Sequence, residues 1–91
     1  MMGINIFIVT PQFKEHPDWD SMRHAGDYEF AKMIRDLPYN ISPTDENYIH
    51  PADFSAWRSA VAAIKWDNEG RFEKLLNILE SNPNYWIYVS Y

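Results

Sequence analysis

The chain has no cysteine. That excludes a disulfide framework, a thiolate metal site and a cysteine nucleophile, and it suits a reducing compartment. Glycine is scarce, with three residues in 91. There is no glycine-rich phosphate loop, no Gly-x-Ser-x-Gly elbow and no His-Glu-x-x-His pair. Lysine and arginine total eight against 13 acidic residues, for a formal charge of −5. The basic residues are scattered, and Lys32/Arg35 and Arg71/Lys74 come nearest to a patch. Counterion release from nucleic acid needs clustered cations, so no nucleic-acid partner is expected. No apolar run approaches the about 20 residues of a membrane-spanning helix, or the roughly 7–15 of a secretory core preceded by basic residues. A soluble, cytoplasmic protein with no membrane partner is expected.

What is present is an aromatic-rich apolar set. The apolar share is 46%, and 16% of residues are Phe, Trp or Tyr. A chain of this length makes one domain, taken as residues 1–91. It buries only roughly 60–65% of its unfolded surface, so large rings must supply much of the core.

Two stretches read as strands. Residues 4–10 place Ile4, Ile6 and Ile8 on one face and Phe7 and Val9 on the other. Both faces are apolar apart from Asn5, the pattern of a strand covered on both sides. Residues 85–91, Tyr-Trp-Ile-Tyr-Val-Ser-Tyr, have high strand propensity throughout. Helices are expected between them. The first runs from about Ser21 to Leu37, with Phe30, Met33, Ile34 and Leu37 as its buried stripe. Gly26-Asp27 interrupts it, and Asp27 could cap a later start. Ser42-Pro43-Thr44-Asp45 reads as the start of a short helix stopped at His50-Pro51. Pro51-Ala52-Asp53 opens another, striped by Phe54, Trp57, Val61 and Ile64. The last spans about Arg71 to Ser81, striped by Phe72, Leu75, Leu76 and Leu79.

The expected fold is therefore α/β (or α+β). It is a small sheet of the N- and C-terminal strands (4–10 and 85–91), parallel in its simplest form, with three to four intervening helices packed on it. A connection this long could also return antiparallel. Two strands leave both edges unpaired. That predicts an edge-to-edge or helix-mediated homodimer.

The polar cluster of the chain follows the first strand: His16, Asp18, Asp20, Arg23, His24 and Asp27. His16, Asp18, Asp20 and His24 are candidate metal ligands by residue type. Asp20 and His24 lie four apart and would share a helix face. His24 with Asp20 or Asp27, and Arg23 beside them, are candidates for acid–base catalysis. The simpler reading makes Asp18 and Asp20 helix caps, His16 a loop residue and His24 a solvent-facing one. His50, before Pro51, reads as a capping or packing residue. No cofactor is implied.

The aromatic residues point to binding. Trp19, Trp66, Trp86, Tyr88 and Tyr91 cannot all be buried in a domain this small, and surface Trp and Tyr are frequent binding anchors. The alternative is that they cover the seam between helices and sheet. The acidic balance serves solubility and would suit a basic protein partner.

In element order and charge, the plan is similar in outline to barstar-type nuclease inhibitors: a small acidic chain, strand first and strand last with helices between. No motif is shared, and no residue is carried over. Three function classes follow. The first, preferred, is a protein-binding or regulatory module acting through an aromatic and acidic surface. The second is a small metal- or acid–base-dependent enzyme using the His16–Asp27 segment. The third is a structural assembly subunit.

Overall fold

The computed structural model describes residues 4–65 and 70–90. The element order is β1 (Asn5–Val9), α1 (Asp27–Ile34), β2 (Tyr39–Ile41), β3 (Tyr48–Pro51), α2 (Phe54–Val61), α3 (Arg71–Ser81) and β4 (Trp86–Ser90). The strands form one sheet in the order β1-β4-β3-β2, and every neighbouring pair is antiparallel.

This corrects the expected fold. The terminal strands do pair, with Ile6 opposite Val89 and Ile8 opposite Ile87, but they run antiparallel. Two further strands, β2 and β3, come from the region read as a connector and a short helix. The reason is local. Ser42 and Asp45 suit a helix start, but here their side chains build turns. The Ser42 hydroxyl accepts the Thr44 N–H at 3.2 Å, and an Asp45 carboxylate oxygen accepts the Asn47 N–H at 2.9 Å. Ser and Asp serve both purposes because both bond nearby backbone donors. The turn folds the flanking segments into a hairpin, with Ile41 opposite Ile49. The sheet therefore has four strands within one chain, which removes the reason given for expecting a second chain to complete it. The order remains strand first and strand last with helices between, but a two-stranded hairpin now interrupts the helices.

The helix stripes form as expected, within tighter limits. α1 begins only at Asp27, after Gly26 in the left-handed region at φ 92°, so residues 21–26 are loop. Phe30 and Ile34 are buried on it, and Met33 and Leu37 pack at its edge. α2 is capped by Asp53, whose carboxylate accepts the Ala56 N–H at 3.1 Å. α3 keeps its expected range, and Phe72, Leu75, Leu76 and Leu79 are all fully buried. Phe30 stacks on Phe72 at 4.5 Å and meets Trp57 edge-on at 6.2 Å. The Trp57 indole N–H donates to the Pro38 carbonyl at 2.8 Å, so no polar group of that ring is stranded in the core.

All three helices bury their stripes against one face of the sheet, on Ile4, Ile6, Ile8 and Ile87. Among the described residues, the helix stripes thus pack on one side of the sheet, not on both. The alternation of side chains along a strand sends Phe7, Val9, Trp86, Tyr88, Tyr48 and His50 to the opposite face. On that face, Phe54 at the start of α2 packs against His50.

Candidate functional site

Residues 14–27 sit along the free edge of β1. The His16 N–H donates to the Ile8 carbonyl at 2.8 Å, and the Trp19 indole N–H donates to the Ile6 carbonyl at 2.7 Å. The Asn5 side chain reaches the Ser21 carbonyl at 2.9 Å. An edge strand offers unpaired backbone groups to any other strand, and this loop occupies them.

Asp27 anchors the loop from below. It is 1% exposed and pairs with Arg71 of α3, whose Nε lies 3.1 Å from Oδ1 and whose Nη2 lies 3.3 Å from Oδ2. Arg71 also donates to the Asp20 carbonyl at 2.7 Å, and its guanidinium lies 4.1 Å over the Trp19 ring. Asp27 accepts the His24 N–H as well. Every oxygen of this buried carboxylate is therefore used structurally. Trp19 belongs to the same clasp. It is 5% exposed, so it is a core residue and no surface anchor.

The candidate ligands do not gather into one centre. His16 accepts the Asp18 N–H at Nδ1 (3.1 Å), and its ring meets Tyr85 edge-on at 5.5 Å. Asp18 and Arg23 are exposed, and neither has an ion-pair partner among the described residues. Among the described residues, no three of the His, Asp and Glu side chains converge closely enough to hold a metal ion. Asp20 and His24 do meet, at 2.9 Å between Oδ2 and Nε2, but through a loop and not along a helix. The Asp20 carboxyl is held below the usual aspartate value, first by the Met22 N–H and then by the His24 hydrogen bond. Such a pair can pass a proton. Its His24 lines a cleft of about 540 Å³ together with Ile4, Arg23, Ala25, Gly26, Asp27 and Tyr28. Asp27, the proposed second carboxylate, is committed to Arg71.

The outer face of the sheet carries the aromatic residues. Phe7, Tyr88 and Tyr48 lie side by side across β1, β4 and β3, with centroids 6.0 and 5.2 Å apart. Phe13 folds back over them from the turn after β1 and meets Tyr48 edge-on at 5.4 Å. The turn is closed by Phe13 N–H to Thr10 O (2.8 Å) and Thr10 N–H to Lys14 O (2.9 Å). It forces Phe13 to φ 59°, a left-handed conformation that a bulky residue adopts rarely. Between these rings is a cleft of about 290 Å³, completed by Val9, Glu15 and Ser90. Glu15 lies opposite Val9 in a short antiparallel bridge, so it shares the face of Val9.

A second aromatic row runs beside the first. Trp86 meets His50 at 6.0 Å, and His50 meets Phe54 at 5.5 Å. His50 is a packing residue, 9% exposed. A carbonyl only accepts, so its Nδ1 donates to Pro51 O at 3.0 Å, and its Nε2 has no partner among the described residues. Of the expected anchors, Trp86 and Tyr88 are half-buried on this outer face, while Trp66 and Tyr91 lie outside the described residues. Phe7, Phe13 and Tyr48 were not among the anchors expected. Phe7 could have been found from strand alternation alone. Tyr48 could not, because its strand was read as helix.

No family model matches this chain, and no match is found among curated proteins or solved structures. Among the described residues, no helix is long and apolar enough to cross a membrane.

Proposed function

We propose that this protein is a binding module whose outer sheet face receives a protein partner. One observation carries the reading: Phe7, Tyr88, Tyr48 and Phe13 form a connected aromatic surface that no described helix covers. Aromatic side chains of this kind supply large contact area for little ordering entropy and dominate binding hot spots. Charge favours a basic partner. The chain carries −5, and among the described residues its cleft is lined by Glu15 and by no lysine or arginine. The lack of cysteine agrees with action in the cytoplasm.

A photoreactive phenylalanine analogue at position 13 tests this, with the same analogue at Tyr28, exposed on α1, as the control. The expected result is a salt-sensitive cross-link to a basic protein from position 13 alone. Equal capture from both positions, or none from position 13, would reject the reading.

Assembly of two copies is a second reading, favoured by the edge of β2. That strand ends the sheet with Tyr39 at 41% and Ile41 at 51% exposed. At three residues it is a short template for strand pairing. A sedimentation mass of one chain at tens of micromolar would exclude it.

A further inference from the structure

We infer that the cleft beneath Phe13 receives an arginine side chain of the partner. This deepens the binding function proposed above and rests on it. The cleft is lined by the aromatic residues Phe13, Tyr48, Tyr88 and Phe7 and by one carboxylate residue, Glu15. Glu15 accepts a hydrogen bond at Oε1 from the Ser21 hydroxyl, which fixes its orientation. It has no cationic partner among the described residues. Aromatic faces beside an unpaired carboxylate are complementary to a cation that sheds its water readily.

Three cations could answer. A quaternary ammonium has no N–H to give Glu15. A lysine ammonium has N–H groups but is strongly hydrated. A guanidinium lies flat on a ring and still directs N–H groups edgeways to a carboxylate. The chain uses this same arrangement inside itself. Arg71 lies 4.1 Å over Trp19 while two of its nitrogens reach Asp27 at 3.1 and 3.3 Å. The cleft presents both components of that arrangement and lacks the arginine. None of the chain's own arginines can fill it, since Arg71 is held by Asp27, Arg58 by Glu73 and Glu80, and Arg23 and Arg35 line other clefts.

The position of Phe13 adds to the case. Its left-handed backbone is locally unfavourable, and such conformations gather at ligand clamps. The turn uses that conformation to hold a half-exposed ring over the cleft. A single-stranded nucleic acid could also stack on these rings, but it would need cations for its phosphates, and none lines the cleft.

The test is a titration of the full chain followed by the ring resonances of Tyr48, Tyr88 and Phe13. The probes are acetyl-Gly-Arg-Gly-amide, its lysine and citrulline counterparts, and oligouridine. Citrulline keeps the planar shape of arginine without the charge. The arginine peptide is expected to bind roughly 3- to 30-fold more tightly than the citrulline peptide, with lysine between them. Glu15→Gln should remove most of that ratio, and Phe13→Gly should weaken arginine and citrulline alike. Equal binding of arginine and citrulline would overturn the inference. So would oligouridine moving the same rings at lower concentration, or shifts confined to Trp19. Should Glu15→Gln fail to fold, the comparison of peptides on the unmodified chain still decides. If arginine and citrulline bind equally while position 13 still cross-links a basic protein, only the arginine assignment falls. If the cross-link is also absent, the binding function falls with it.

Discussion

Asp27, at the start of α1, and Glu15, in the loop after β1, are both carboxylates near aromatic rings, yet one is fully enclosed with a cation and the other is open without one. Asp27 is 1% exposed and paired with Arg71, whose guanidinium lies against the rings of Trp19 and Phe72. A carboxylate so far from water must have an internal partner, or its desolvation would unfold the domain. Glu15 is exposed and stays hydrated, so nothing in folding requires that it be paired. The same chemical components are thus a structural clasp where they are buried and an available surface where they are not.

The largest effect should come from breaking the clasp. Arg71→Met leaves the Asp27 charge buried and unpaired, and should cost about 3–5 kcal/mol in urea denaturation. That is a large part of the stability of a domain this size. The double variant with Asp27→Asn should recover much of it. Failure of the double variant to recover would mean that Arg71 acts through its packing on Trp19 and not through charge. Next, Trp19→Phe keeps an aromatic face for Arg71 but loses the hydrogen bond to Ile6, leaving that carbonyl unsatisfied. It should cost about 1–3 kcal/mol by the same measurement.

The open cluster should respond differently. Phe13→Gly removes a ring that is 53% exposed and relieves a left-handed backbone. Its stability should be unchanged or raised by up to about 1 kcal/mol. A loss larger than that would show that the ring serves the fold, as Trp19 does. Glu15→Gln should change stability by no more than about 0.5 kcal/mol.

The smallest effect concerns Asp20, on the exposed rim of the clasp. Its carboxyl is lowered in the folded chain by the Met22 N–H and by His24. Because the folded value lies below the unfolded one, the stabilisation is complete above the ordinary aspartate range. It is lost as pH falls through the lowered folded value. The melting-temperature difference between the unmodified chain and Asp20→Asn should therefore be constant through moderately acid pH and narrow in strong acid. A difference that grows on acidification would contradict the assigned cause.

Legibility in the sequence followed the strength of the local pattern. The stripe of Phe72, Leu75, Leu76 and Leu79 is read without ambiguity, since an apolar repeat at helical spacing has one solution. The β2–β3 hairpin was hidden because Ser42-Pro43-Thr44-Asp45 satisfies the chemistry of a helix start as well as that of a turn. With the hairpin went the polarity of the sheet, and with the sheet went Tyr48. Trp19 is expected among the surface anchors because a domain this small cannot bury all of its large rings, and that argument does not say which ring is the buried one. Only the arrival of Arg71 and the Ile6 carbonyl from distant parts of the chain makes its site a buried one.

What the chain determined by itself are the properties set by composition and local spacing: an acidic balance, the helix stripes, and two apolar strands near the ends, none of which depends on distant residues. Tertiary structure decided what the polar and aromatic residues are for. His16, Asp20, His24 and Asp27 form one polar cluster along the chain, but in space Asp27 is withdrawn into an ion pair with Arg71. Phe7, Phe13, Tyr48 and Tyr88 are scattered along the chain; strand pairing brings Phe7, Tyr88 and Tyr48 together, and the turn after β1 adds Phe13. Burial is a property of the assembled layers, and burial separates the carboxylate that holds the fold together from the one left free to meet a partner.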